Sequence, residues 1–174
     1  QKKVSRGSFR LLFSDRKRTL RYFAFVLVGV PLWYCVGMVI NLSPELARTF
    51  GIDGVRPATC FILFQMGIAI GDLTSGIISQ KIKSRKRVLV GFMALALAAV
   101  VLFFMTLHAG FGFNALVSSS LLMGFGCGYM SIFVTTAAEA FGTNLRVTVT
   151  ATITNFMRGA ITLLIPLRIW LENI

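Results

Sequence analysis

The sequence predicts an all-α protein that crosses a membrane repeatedly, as a polytopic bundle of five transmembrane helices. Of its 174 residues, 56% are hydrophobic and only 14% are charged, whereas a soluble domain carries about 25% charged residues. Five mostly apolar runs each approach about 20 residues, the length that a helix needs to cross a bilayer. The runs cover residues 22–44, 58–79, 88–107, 115–137 and 147–167.

The basic residues lie beside these runs and predict an orientation. Residues 1–21 contain eight lysines and arginines and residues 80–87 contain five, whereas the loop between the first two runs is nearly balanced. Because basic loops stay in the cytoplasm, we expect a cytoplasmic N-terminus and, after five crossings, an external C-terminus in a plasma or inner membrane. The net charge of +12 is then explained by contact with the lipid bilayer, and we expect no nucleic-acid partner.

We expect two regions, a basic cytoplasmic loop at 1–21 and a membrane domain at 22–174. Within the loop, residues 9–13 (Phe-Arg-Leu-Leu-Phe) suit either a short amphipathic helix at the membrane interface or a disordered segment.

In the first crossing, Pro31 predicts a kink. Trp33 and Tyr34 lie too deep for an aromatic belt at the interface and are interpreted as packing residues, with a position at a cavity as the alternative. Tyr34 and Asn41, seven residues apart, are candidates for hydrogen bonds to a solute, although the sequence favours a structural role for each.

The second crossing carries Gln65, Asp72, Ser75 and Ser79 at spacings of seven, three and four residues, which places them on one helical face. The third crossing has no ionisable residue. A helix that is apolar all round needs no polar surface beside it, so we expect the third crossing on the lipid side of the bundle.

The fourth crossing contains Gly124, Gly126 and Gly128, small residues that allow helices to approach closely. The fifth contains Asn155 and Arg158, together with Thr162, again on one face.

Asp72 and Arg158 are the two ionisable residues deep inside predicted crossings. An intramembrane charge costs several kcal/mol unless it is paired or hydrated. Each therefore indicates either a water-filled pathway or a buried pair that only fixes helix packing. Direct pairing between the two is a further hypothesis.

The sequence gives little indication of a metal site or of a catalytic nucleophile. The three cysteines lie in or beside apolar runs without the spacing of metal ligands, and we interpret them as small core residues. His108 is the single histidine, and it falls in a loop. We therefore expect no cofactor and no enzymatic activity.

Two cytoplasmic segments resemble those of a known family. Residues 76–87 read Gly-Ile-Ile-Ser-Gln-Lys-Ile-Lys-Ser-Arg-Lys-Arg, and Gly76, Ser79, Lys81 and Arg85 fit the loop signature of the major facilitator superfamily. In this chain Gln80 stands where that signature has an acid, and Lys83-Ser84 replace Gly-Arg.

The second segment, residues 138–146, resembles the Glu-x-x-Pro-Thr-x-x-Arg motif that follows the tenth crossing in the same family. Glu139, Thr143 and Arg146 match the motif, whereas Gly142 replaces the proline at which the family's sharp turn is expected. The chain continues to Arg158, where members often have an arginine in the eleventh crossing.

The resemblance implies the second half of a transporter, with a central loop and crossings seven to eleven, and with an N-terminal six-helix half as its missing partner. It implies alternating access to a central site, for which Asp72, Arg158, Asn155, Gln65, Tyr34 and Asn41 are the candidate residues. A cytoplasmic gate would comprise Gly76, Lys81, Arg85, Glu139 and Arg146.

The substrate is expected to be a small molecule, and a buried guanidinium favours an anionic one. Proton coupling through Asp72 is also expected. A channel, or a receptor or scaffold that transports nothing, is the alternative. We also expect that these residues transport nothing without the other half.

Overall fold

The computed structural model describes residues 12–52 and 54–172, with side chains described up to residue 162. Every regular element in this part of the chain is helical. The predicted interfacial segment at 9–13 falls largely outside the described residues, so it stays a prediction. The elements are α1 (Arg16–Tyr34), a π-helical segment (Cys35–Ile40), α2 (Ser43–Thr49), α3 (Pro57–Ile82), α4 (Arg85–His108), α5 (Phe113–Cys127), α6 (Met130–Ala140) and α7 (Arg146–Glu172).

Four stretches are long and apolar enough to cross a membrane, which confirms the predicted all-α membrane fold. They are Arg16–Ile40, Pro57–Ile82, Arg85–His108 and Phe113–Ala140. The predicted fifth crossing forms α7, whose 27 residues would extend about 40 Å at 1.5 Å per residue. It is not among the four, so its passage through the membrane stays a prediction.

The first crossing begins and ends earlier than the predicted 22–44. It starts at Arg16 and continues through the π-helical segment to Ile40. Pro44 lies outside it, in the first turn of α2, where the missing N–H of proline removes no helical hydrogen bond. Pro31 lies inside α1, and the helix changes to the π form four residues later.

The fourth crossing, predicted at 115–137, lies within the stretch Phe113–Ala140. Its helix is divided into α5 and α6, with Gly128 and Tyr129 between them. The sequence did not indicate this break, because an apolar run reports length and composition but not the continuity of the backbone.

The chain divides into two compact units, one of residues 1–33 and 134–174 and the other of residues 34–133. It passes between the units inside α1, just before the π-helical segment, and inside α6, four residues after Tyr129. Both passages therefore lie beside irregular helical backbone.

In the unit of residues 34–133, α3 and α5 touch through their backbones. A methyl group added at Gly67 would lie 2.7 Å from the amide nitrogen of Phe125, and one added at Gly71 would lie 2.9 Å from Cα of Gly128. Such distances admit no side chain, so Gly67, Gly71, Gly124 and Gly128 form what we call the glycine seam. Contacts advance along both helices together, so α3 and α5 run parallel.

α4 runs antiparallel to α5 in the same unit. The rings of Phe92 and Phe125 lie 5.7 Å apart near one end, and the hydroxyls of Thr106 and Ser119 are 3.5 Å apart near the other. One side of α4 is apolar and exposed, and its predicted place on the lipid side of the bundle stays a prediction. Its exposed residues include Val90, Leu97, Val101 and Met105.

In the other unit, α1 packs against α7. A Cβ at Gly29 would overlap the side chain of Met157. The ring of Tyr22 is buried, with edge-to-face contacts to Phe141 and Phe156 at centroid distances of 6.3 and 6.0 Å. These aromatic rings join α1 to the loop before α7 and to α7 itself.

The three cysteines, Cys35, Cys60 and Cys127, are free thiols and are buried. Their positions agree with the interpretation of these residues as small members of the core.

Candidate functional site

The crossing Phe113–Ala140 is interrupted near its middle. The amide of Gly128 donates to the carbonyl of Phe125 at 3.1 Å, and the amide of Tyr129 donates to the carbonyl of Cys127 at 2.8 Å. These short-range bonds replace the regular ladder of bonds between residues four apart. Two half-helices, α5 and α6, therefore meet at Gly128 and Tyr129.

The glycines explain why the helix breaks at this point. Each glycine within a helix is about 1 kcal/mol less favourable than alanine, and Gly124, Gly126 and Gly128 follow one another at alternate positions. The contact with α3 nevertheless requires glycine, since a Cβ at Gly128 would lie 2.6 Å from the amide nitrogen of Asp72. The helix is thus weakest where its neighbour comes closest.

The carboxylate of Asp72 stabilises the start of the second half-helix. Its Oδ1 accepts a hydrogen bond from the backbone N–H of Ser131 at 3.0 Å. Ser131 is the second residue of α6, and amides in the first turn of a helix have no acceptor within it. A negative charge here also compensates the partial positive charge at the helix N-terminus. Asp72 is therefore a helix cap contributed by a neighbouring helix.

Asp72 and the break lie at similar depth. Each is about two to three residues past the midpoint of its crossing, or roughly 3–4 Å at 1.5 Å per residue. Irregular backbone at this depth is tolerated only where protein or water shelters it. Tyr129 is 1% exposed, so protein provides much of that shelter.

The other polar residues predicted on this face of α3 differ in their surroundings. Ser75 and Ser79 are buried, and Gln65 is exposed. The Ser75 hydroxyl donates to the backbone carbonyl of Asp72, in its own helix, at 3.1 Å. Within the described part of this unit, Asp72 is the member of the face that joins α3 to another helix.

Arg158 lies close to the midpoint of α7 and stacks on Trp33 of α1. Its Cζ is 4.5 Å from the centroid of the Trp33 ring. A cation over an indole face gains about 0.5–2 kcal/mol, depending on how dry the site is. Arg158 itself is exposed, so the stack supports one face of the guanidinium and leaves its N–H edge accessible. The buried indole N–H of Trp33 has no hydrogen-bond partner among the described residues.

Asn155 shares the exposed face of α7 with Arg158 and Thr162, opposite a buried stripe. Its Nδ2 donates to the carbonyl of Ala151, in the same helix, at 2.9 Å. The stripe comprises Val149, Ile153, Met157 and Ile161.

Tyr34 and Asn41 are both exposed, but the structure separates them by the π-helical segment. Asn41 lies just beyond that segment, outside the first crossing. A π-helix has a wider turn than an α-helix, so the seven-residue spacing does not return to the same face.

The first predicted gate segment is a tight turn between α3 and α4. Lys81 lies in the last turn of α3, Arg85 is the first residue of α4, and both are exposed, while Gly76 lies within α3. Lys83 has a left-handed φ of 52°. The family signature has glycine at this position, and glycine adopts that conformation without strain. The backbone thus forms the expected turn although the glycine is missing.

The second predicted gate segment connects α6 to α7. Glu139 near the end of α6 and Arg146 at the start of α7 are exposed. Gly142 has a φ of +74°, which proline, fixed near −65°, cannot adopt. A sharp turn is therefore present, but its backbone differs from one built on proline. Arg21 of α1 donates to the carbonyl of Ala140 at 3.1 Å, near the C-terminus of α6.

Asp72 and Arg158 lie in different compact units. Each has a partner within its own unit, the Ser131 amide for Asp72 and the Trp33 ring for Arg158. Direct pairing of the two charges stays a prediction.

Sequence reasoning missed two parts of this arrangement. It assigned the three alternating glycines to close packing, and they also mark the break between α5 and α6. It favoured packing for Trp33, and nothing in one sequence indicates that Arg158, 125 positions away, stacks on that ring.

The amino-acid sequence was compared with models of known protein families, with curated proteins and with solved structures. A family model described as Major Facilitator Superfamily matches residues 1–166. No curated protein and no solved structure matches the chain significantly.

Proposed function

Because the chain belongs to the major facilitator superfamily, and is thus a transporter of that kind, we propose that it moves a small organic anion across the membrane by alternating access, with proton coupling. Carriers of this superfamily have two halves, each of six transmembrane helices, and alternating access is largely a rocking of one bundle against the other around a site near the middle of the membrane. The broken crossing Phe113–Ala140 suits such a mechanism, since discontinuous helices recur at transporter binding sites.

The observation that carries the choice of an anion is the stacked position of Arg158. A guanidinium at the middle of a crossing is costly unless it is paired or hydrated. Trp33 supports its face, and its five N–H donors favour bidentate contact with a carboxylate or phosphate. The indole N–H of Trp33, which is buried and has no hydrogen-bond partner among the described residues, is a further donor beside this guanidinium.

A ligand screen followed by transport assays tests the anionic substrate. Protein expressed from its complete gene is screened by thermal shift against monocarboxylates, dicarboxylates and sugar phosphates, with neutral sugars and amines for comparison. Anions alone should raise the melting temperature. In vesicles loaded for counterflow, Arg158→Gln should raise KM for the anion by about tenfold or more, as expected on loss of charge-assisted hydrogen bonds.

Matched variants separate a binding role from a general effect of charge. Arg158→Lys keeps the charge but loses the planar fork, so its KM should lie between those of the wild type and Arg158→Gln. Trp33→Phe keeps an aromatic face and should raise KM less than Trp33→Leu does. Arg48→Gln, at an exposed arginine of α2, is the control. An unchanged KM in Arg158→Gln, or stabilisation by neutral or cationic compounds alone, would contradict the proposal.

Asp72 is the proposed proton site, since it is the one carboxylate predicted deep in a crossing. Asp72→Asn cannot exchange a proton near neutral pH. It should therefore retain counterflow, which needs no driving force, and lose accumulation driven by a pH gradient. Accumulation at the wild-type level in Asp72→Asn would refute coupling at this residue.

The proposed cytoplasmic gate consists of exposed charged residues at two turns. Lys81 and Arg85 lie at one turn, and Glu139 and Arg146 lie at the other. Glu139→Gln should shift the balance between inward-open and outward-open states, measured by protease or thiol accessibility with and without substrate. Glu45→Gln, an exposed acid in α2, is the control. No shift relative to that control would remove the gating role.

Counterflow also addresses the alternative of a channel. A carrier exchanges labelled solute against unlabelled solute and saturates, whereas a pore lets both run down their gradients. Absence of both saturation and exchange would favour a channel or a receptor.

A further inference from the structure

We propose that Asp72 is a positioning residue whose carboxylate holds the second half of the broken crossing, and that the break at Gly128 and Tyr129 is a hinge used in transport. The hinge role rests on the alternating access proposed above. The acceptor atom Oδ1 fills this role whether or not the same carboxyl group also exchanges a proton.

Hydrogen bonding differs on the two sides of the break. The amides of Gly128 and Tyr129 turn back onto Phe125 and Cys127, so the α5 side of the break satisfies its own donors. The amide of Ser131, on the α6 side, uses Asp72 of another helix. The geometry of α6 at its first turn thus depends on a side chain that α3 supplies.

Asp72 lies directly after Gly71 of the glycine seam in α3. The seam fixes α5 to α3 through backbone contacts as far as Gly128. The bond from Asp72 to Ser131 follows just beyond that point, on the other side of the break. One half-helix is therefore held by rigid close packing, and the start of the next by a hydrogen bond, which can break and re-form without moving the seam.

The chain divides into its two compact units close to the break. It passes between its two compact units inside α6, four residues after Tyr129. Domain motions concentrate where a few residues at the end of an element absorb changes in backbone angles. Tyr129 and its neighbours have the irregular backbone that such a role requires.

We call the hydrogen bond from the Ser131 amide to Asp72 the latch. Hydrogen–deuterium exchange in nanodiscs measures it directly, on the protein expressed from its complete gene. Asp72→Ala should accelerate exchange in residues 127–134 by about tenfold or more. Asp72→Asn keeps an oxygen at the Oδ1 position, so its exchange should stay within about threefold of wild type. Thr74→Val is the control, because that hydroxyl bonds carbonyls of its own helix. Wild-type exchange in Asp72→Ala, or equal acceleration in Thr74→Val, would overturn the inference.

A measurement on the wild type keeps the inference testable if Asp72→Ala does not fold. Ser131 and Val147 both occupy the second position of their helices, α6 and α7. The Ser131 amide, with its carboxylate acceptor, should exchange more slowly than the Val147 amide. Equal exchange at the two positions would show that Asp72 does not hold the turn.

Transport assays separate failure of the latch from failure of the proposed function. Asp72→Ala, which removes the latch, should lower kcat by about tenfold with little change in KM, whereas the control Thr74→Val should keep the wild-type kcat. If the wild type shows no counterflow but exchange behaves as expected, the transport function falls and the structural role of the carboxylate stands. If the wild type transports and Asp72→Ala exchanges normally, the latch alone is wrong.

Discussion

One methyl group added at Gly71 would test the glycine seam. The new Cβ would lie 2.9 Å from Cα of Gly128 and closer still to the carbonyl oxygen of Phe125. Both neighbours are backbone atoms, which cannot rotate away as a side chain would. Gly71→Ala therefore requires α3 and α5 to separate.

The size of that separation gives the expected loss of stability. Carbon atoms pack best about 3.5–4.0 Å apart, so the helices must move apart by roughly 0.6–1.1 Å. A gap of this size forfeits about a quarter to a half of contacts worth ~0.15 kcal/mol each, or about 1.5–3 kcal/mol over ~40 atom pairs. Alanine returns about 0.8–1 kcal/mol through its helix propensity. The net destabilisation is therefore about 0.5–2 kcal/mol.

Equilibrium unfolding in mixed micelles, titrated with a denaturing detergent, measures this difference. Gly91→Ala is the matched control, since a Cβ at this position in α4 meets open space. It should be neutral or more stable than wild type, by up to about 1 kcal/mol. The reasoning fails if Gly71→Ala is as stable as Gly91→Ala.

Four further substitutions give expected changes in the same unfolding assay. Lys83→Gly should stabilise by about 0.5–1 kcal/mol, because glycine adopts the left-handed φ of 52° without strain; a loss would contradict the assigned turn. Gly142→Pro should destabilise by about 1–3 kcal/mol, although it restores the family motif, because proline cannot reach a φ of +74°; tolerance would mean that the turn is built differently. Arg21→Ala should lose about 0.3–1 kcal/mol with its bond to the last carbonyl of α6, and an unchanged stability would show that the bond contributes nothing. Gly29→Ala should cost less than Gly71→Ala, because the atoms in its way belong to the flexible side chain of Met157; an equal cost would show that this contact is as rigid as the seam.

Hydrophobic length and charge distribution were enough to predict the class of fold. A bilayer imposes one length on every spanning helix, so apolar runs identify crossings without knowledge of their partners. The same reasoning located Asp72 and Arg158, because an ionisable residue in such a run is rare and costly. The loop motifs then identified the family, and the match over residues 1–166 confirms it.

Features that depend on contacts between distant segments were beyond this reasoning. The break at Gly128 follows from the approach of Gly71, and the stacking of Arg158 follows from the position of Trp33. Neither neighbour is adjacent in sequence. The π-helical segment between Tyr34 and Asn41 was likewise not predicted, since helical spacing assumes a uniform turn.

The burial of all three native thiols has a practical consequence for mapping sidedness. Cys35, Cys60 and Cys127 are 4%, 0% and 0% exposed, so none of these three thiols is open to a membrane-impermeant maleimide. A cysteine introduced at the exposed Gln80 can then be labelled without first replacing these three. Whether the reagent reaches that position from inside or outside sealed cells would fix the orientation of the whole chain.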